Sequence, residues 1–233
     1  NLLRNFFLCS TISIISCSNC LYTSSQTETC YGLSLSITAE MSVIAEMSFF
    51  TKTEELSDVS CDGCNHRVKA EKKILLKKRA PFLILQLNTF SSFEDKIKGC
   101  IAFPLLLDMS PYCSSLVDME YELYSFIVHA RETAFSGHYC AFVSTPSSFY
   151  KLNDKDFDVV DTQTVLKQDA YILFYKRRTL DLLNYSDSSV LLPEEELLTS
   201  LCIIHCLLNL FFFLFLCIYY TFHVYVYIFS EKG

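Results

Sequence analysis

The clearest hydrophobic pattern lies between residues 70 and 178, where short apolar runs are separated by turn residues. Residues 82–87 read as a mostly apolar strand entered by Pro81, and residues 121–129 as another, with Leu123, Phe126, Ile127 and Val128 supplying bulk. Residues 139–144, 148–152 and 171–176 complete an expected antiparallel meander, because Thr145, Pro146 and Ser147, then Asn153 and Asp154, are turn signals between apolar segments. Upstream, residues 31–37 alternate through Leu33, Ser34, Leu35, Ser36 and Ile37, which predicts a half-buried strand, and residues 41–50 keep a loose helical period. Residues 1–16 mix apolar and hydroxyl side chains with no useful period, and Leu2, Leu3, Arg4 and Asn5 read as the end of a strand. The pattern is α+β, with strands dominant.

Beyond Arg178 the regular strand pattern stops. Residues 179–200 hold Asp, Ser, Pro193 and the acidic run Glu194, Glu195, Glu196, as a linker or surface helix does. Residues 201–229 then contain no Asp, Glu, Lys or Arg and carry ten Phe and Tyr residues. At ~1.5 Å per residue this stretch is long enough to cross a ~30 Å hydrocarbon layer. Two readings stay open: a membrane tail anchor with the preceding domain facing the cytosol, or translated non-coding sequence. The expected organisation is an N-terminal stretch at 1–16, a main domain at 17–178, a linker at 179–200 and the apolar tail at 201–229.

A formal charge of -7 over 233 residues argues against a general nucleic-acid binder, because phosphate neutralisation needs a positive face. No nucleic-acid partner is expected. Residues 67–79 are a local exception, with seven Lys or Arg against the single acid Glu71, and read as a solvated strand or hairpin face. The 12 cysteines fall into close pairs and singles, and residues 1–16 make no convincing signal peptide. A reducing compartment, cytoplasm or nucleus, is therefore expected. The chain opens on Asn and is expected to be part of a longer one.

Two motifs carry chemistry. Cys17-x-x-Cys20 and Cys61-x-x-Cys64 are separated by 40 residues. Each knuckle directs two sulfurs at one ion, and together they offer the four thiolates that tetrahedral Zn²⁺ prefers, so a closed, structural zinc site is predicted. The second motif is His138, set between Gly137 and Tyr139, with Asn153 and Asp154 at the end of a following strand. A neutral imidazole with an amide or carboxylate to hold it is the base-plus-orienter half of a nucleophilic site. Cys140 lies two residues from His138 on one strand, where core packing suits it better than attack.

Taken with Glu54, Glu55 and Leu56, the segment Ser60-Cys61-Asp62-Gly63-Cys64, Leu107 and Asp108, Tyr112, and the block from 121 to 175, these motifs resemble the C-terminal two thirds of the ubiquitin-specific protease domain. The resemblance implies a papain-like cysteine protease fold: a palm sheet plus a zinc-bearing fingers subdomain, with the thumb largely missing. It also implies His138 as general base, Asn153 as the residue that orients it, and Asp154 as electrostatic support. The family's reactive cysteine belongs to an Asn-Gly-x-x-Cys-Tyr-x-Asn type of segment that does not occur here and is expected before Asn1. The implied function is cleavage after the C-terminal glycine of ubiquitin, with ubiquitin and ubiquitinated proteins as partners, this chain alone being inactive. The alternative is a catalytically inactive module that binds ubiquitin or acts as a scaffold, with structural zinc.

Overall fold

The computed structural model describes residues 2–89, 97, 99–115, 119–130, 138–154 and 156–178. The linker at 179–200 and the apolar tail at 201–229 lie outside the described residues, as does Gly137 beside His138. Among the described residues, no helix is long and apolar enough to cross a membrane.

A short helix, α1 (Leu2–Phe7), comes first. Here the expectation of a strand end is corrected: Leu2 and Phe6, and Leu3 and Phe7, are four residues apart, which is helical spacing. Phe6 and Phe7 then set their rings 5.9 and 5.6 Å from that of Phe82. Strand β1 (Cys9–Cys17) starts within the stretch that showed no period and runs antiparallel to β2 (Thr23–Cys30). Next come β3 (Leu33–Ser36) and α2 (Val43–Phe50), close to the predicted strand and helix. Then β4 (Glu54–Ser60) and β5 (Arg67–Lys78) follow, β5 carrying most of the basic run and exposing Arg67, Lys69, Lys73, Lys77 and Lys78. The order β2-β1-β5-β4 makes a four-stranded, fully antiparallel sheet. We call it the fingers sheet.

The second sheet, the palm, is larger. It contains β3, β6 (Phe82–Asn88), the short β7 (Leu106–Asp108), β8 (Glu120–Ala130), β9 (His138–Ser144), β10 (Phe149–Asn153), β11 (Asp156–Val160) and, after a one-turn helix α3 (Thr162–Val165), β12 (Ala170–Arg177). Its order is β11-β10-β9-β8-β12-β6-β3, and β7 pairs with the segment 120–122 of β8 that β9 does not reach. All pairings are antiparallel except β3 with β6. That parallel pair brings the chain so close that a Cβ on Gly32 would stand 2.9 Å from both Cβ and O of Ile84.

Register explains where the core sits. Leu83 faces Tyr175 and Leu85 faces Leu173 across β6 and β12, so these four share one side of the sheet. Val43 and Met47 of α2 and Leu33 and Leu35 of β3 are buried in the same cluster. Two tyrosines complete it without leaving an orphaned hydroxyl: Tyr121 donates to the Ala80 carbonyl at 2.7 Å and Tyr175 to the Pro104 carbonyl at 2.8 Å. Burial drives both phenols well above the ordinary tyrosine range.

Candidate functional site

The two knuckles meet at the far end of the fingers sheet. Cys17 ends β1, Cys61 follows β4, and Cys20 and Cys64 lie in the turns after them; the four Sγ atoms all fall within 4.8 Å of one another. Cys20 and Cys61 have their sulfurs 3.6 Å apart. A tetrahedron with Zn–S bonds of ~2.3 Å needs S···S separations of roughly 3.8 Å, so the donor set and its spacing fit one Zn²⁺.

Backbone groups build each knuckle. Cys17 N–H donates to the Tyr22 carbonyl at 2.9 Å and Cys61 N–H to the His66 carbonyl at 3.0 Å. Asn19 N–H reaches Cys17 Sγ at 3.3 Å and holds that thiol down to about 7. The residue after the second cysteine is left-handed in both knuckles, Leu21 at φ 61° and Asn65 at φ 55°. A Cβ on Gly63 would lie 2.5 Å from Tyr22 Cβ and 3.1 Å from Cys20 Sγ, so only glycine lets the two turns approach. The cysteine spacing predicted the convergence of the four sulfurs but not the parts of Asn19, Leu21, Tyr22 or Asn65, which depend on backbone geometry.

His138 begins β9 and Asn153 ends β10. The last paired residues between these strands are Ala141 and Leu152, which puts Asn153 one step on, opposite Cys140 and diagonal to His138 on the same side of the sheet. His138 Nε2 donates to Asn153 Oδ1. That bond fixes the Nε2–H tautomer in the neutral ring and leaves the Nδ1 lone pair as the basic site. Both residues are half-buried, at the rim of the side on which Cys140 and Phe142 join the core.

Asp154 stands apart from this pair. It occupies the β10–β11 turn with φ 55°, exposed, and no bond among the described residues joins it to His138. Cys140 is 8% exposed, and burial raises its thiol pKa. No hydrogen bond among the described residues joins Cys140 to His138. A second histidine, His129 near the end of β8, is buried on the opposite side, its ring stacked 4.4 Å from Tyr139 at 10° and 5.9 Å from Tyr171.

The family model "Ubiquitin carboxyl-terminal hydrolase" matches residues 1–175. The chain belongs to that family. Ubiquitin carboxyl-terminal hydrolase 20 of Arabidopsis thaliana is 34% identical over 175 residues, covering 71% of this chain and 25% of the plant protein. Ubiquitin carboxyl-terminal hydrolase 17-like protein D of Mus musculus is 30% identical over 192 residues, covering 79% of this chain and 34% of its own length. The chain thus spans between a quarter and about a third of these relatives. Among solved structures, a SAGA DUB module of Ubp8, Sgf11, Sus1 and Sgf73 bound to monoubiquitin matches with a TM-score of 0.71 and 32% identity, over 76% of this chain and 42% of that one. The same module bound to ubiquitin aldehyde matches at 0.71 and 30% identity, over 77% and 43%. The fold is the α+β papain-like protease fold in its palm-and-fingers portion.

Proposed function

We propose that this chain supplies the base, its orienter and the zinc-bearing fingers of a cysteine-type deubiquitinase. The observation that carries the proposal is the His138–Asn153 pair on adjacent strands of the family-matched palm. The nucleophile is a thiol outside the described residues. His138 Nδ1 takes its proton; the thiolate attacks the carbonyl of ubiquitin's C-terminal glycine, and the imidazolium returns the proton to the leaving amine. Water then resolves the thioester with His138 again as base. Asp154 contributes charge from the neighbouring turn rather than a direct bond. Ubiquitin and ubiquitinated proteins are the partners, in keeping with neighbours that were solved bound to monoubiquitin and to ubiquitin aldehyde.

Zn²⁺ held by Cys17, Cys20, Cys61 and Cys64 supplies closed, tetrahedral thiolate coordination that ties two hairpins together. It takes no part in catalysis, as four protein sulfurs leave no open position. Free thiols throughout the described residues suit a reducing compartment, cytoplasm or nucleus, and the uncharged stretch 201–229 suits a membrane tail.

Hydrolysis of a fluorogenic ubiquitin amide by the full gene product that contains this chain is the test. His138→Ala is expected to lower kcat by at least ~10³-fold and Asn153→Ala by less, because the latter removes only the orienter. Unchanged turnover in the His138 variant would discard the assignment. The second reading is a ubiquitin-holding module without turnover, in which the palm and fingers hold ubiquitin and His138 serves no thiol. Ubiquitin binding by the gene product, together with no labelling by a ubiquitin vinyl probe, would select that reading.

A further inference from the structure

Cys9 opens β1 and Cys30 closes β2, and the two are direct cross-strand partners. Their sulfurs are 3.1 Å apart, and Cys9 Sγ also donates to the Cys30 carbonyl at 3.2 Å. Both thiols are free. Directly paired residues in antiparallel strands have Cα atoms ~4.5–5.5 Å apart, inside the ~4.4–6.8 Å window that a disulfide spans. Closing the remaining gap to the ~2.05 Å of an S–S bond takes about 1 Å of side-chain movement and none of the backbone rearrangement that forbids most cysteine pairs. Burial divides the labour, since Cys9 is 1% exposed whereas Cys30 is partly open to solvent.

We propose that Cys9 and Cys30 are a reversible oxidation site, which a peroxide converts into a cross-strand disulfide that locks the base of the fingers hairpin. The solvent-reachable Cys30 thiolate attacks one peroxide oxygen, giving a sulfenic acid and releasing the other oxygen as water after protonation. Cys9 sulfur then displaces the sulfenic hydroxyl, which leaves as a second water with the Cys9 proton. Two thiols are oxidised and one peroxide is reduced. A dithiol reverses the change by thiol–disulfide exchange.

The local chemistry agrees with this order of events. The contact with Cys9 brings Cys30 down to about 7, against burial and the charge of Glu28, while the same contact and burial push Cys9 well up despite nearby Lys78. Exposure assigns the roles: Cys30, which solvent reaches, is the attacking thiolate, and Cys9, 1% exposed, is the resolving thiol. The site lies at the opposite end of the hairpin from Cys17 and Cys20. The metal knuckles tie its tip, and the disulfide would tie its base, preserving β1–β2 register when metal is lost.

The test treats the full chain with hydrogen peroxide, alkylates it and digests it without reduction. A cross-linked peptide joining Cys9 to Cys30, lighter by two hydrogens and abolished by dithiothreitol, is expected. It should be absent from Cys30→Ser and persist in Cys113→Ser. Should Cys30→Ser fail to fold, Cys9→Ala serves as the second variant, with the same loss expected. In the presence of a chelator, oxidation should raise the thermal midpoint of the unmodified sequence by roughly 5–10 °C and leave the single-cysteine variants unmoved. Cys9 and Cys30 remaining alkylatable while other cysteines oxidise, a Cys9–Cys113 cross-link instead, or an unmoved midpoint would each overturn the proposal.

Discussion

Strand β2 exposes every residue from Thr23 to Thr29, whereas β6, of nearly the same length, buries Leu83, Ile84, Leu85 and Leu87. At ~1.5–3 kcal/mol for each large apolar side chain removed from water, β6 has a driving force that β2 lacks. The contrast extends to the two sheets. The fingers reach the main core through the buried Cys9 and Leu76 and the partly buried Cys30, all at one end of the sheet. At the other end, Cys17, Cys61 and Ala70 are buried among themselves and the two knuckles. One sheet is therefore held by area; the other has little buried area and carries a four-cysteine cluster at its far end. With no buried face of its own, β2 depends on its pairing with β1.

The largest effect is expected from removing one of the four knuckle thiols. Cys61→Ser is expected to reduce bound zinc from one equivalent per chain to none and to release amide protection across β1, β2, β4 and the knuckle end of β5. Palm strands β6, β8 and β12 should keep theirs, because their protection derives from burial. Elemental analysis and hydrogen exchange read the two halves separately. Retained metal, or equal loss of protection in both sheets, would refute the division.

The converse substitution is Phe126→Ala. Phe126 is fully buried, with its ring stacked 4.5 Å from Phe142 at 3° and 5.3 Å from Phe103. Truncation should cost ~3–5 kcal/mol, the range for emptying a large aromatic site. Urea denaturation of the zinc-loaded chain measures it, and the folded fraction should still bind one zinc. A loss below ~1 kcal/mol would mean that the palm is not held by its core.

The same contrast governed what could be read from sequence. Strands β6, β8, β9 and β12 announced themselves, since each has several apolar residues facing a core, and β10, which buries only Phe149, was marked by the turn residues on either side of it. Strand β2, Thr-Ser-Ser-Gln-Thr-Glu-Thr-Cys, has no alternation to find, because neither side of it is buried; it exists through its pairing with β1. Strand β11 exposes Phe157 and Val159 at 70% and 66%, so it too offers no buried face for a pattern to mark. At the site, His138 and Asn153 were legible as residue types at a characteristic separation, and so were the four knuckle cysteines. What was not legible depended on register: the diagonal approach of His138 and Asn153, the solvent-facing place of Asp154 in its turn, and the juxtaposition of Cys9 with Cys30. Alternation along one strand says which side a residue is on, but not which residue it meets across the sheet.

The smallest effect is expected inside the fingers themselves, between the two knuckles. Leu21 and Asn65 occupy the same place in the two knuckles and share the left-handed conformation, yet they are not equally suited to it. A leucine there suffers Cβ crowding of ~1–2 kcal/mol, while asparagine visits the region more readily. Leu21 is also 86% exposed, so removing its side chain forfeits no buried area. Glycine relieves the crowding but loses more chain entropy on folding, roughly 0.5–1 kcal/mol. Leu21→Gly is therefore expected to stabilise the zinc-loaded chain by about 0.5–1 kcal/mol, and Asn65→Gly to change it by less than ~0.5 kcal/mol, both read by urea denaturation. A loss of stability in Leu21→Gly, or equal shifts in the two variants, would show that the first knuckle is held by contacts of the leucine side chain. A gain confined to Leu21 would show that the strain there is borne by the metal-tied turn.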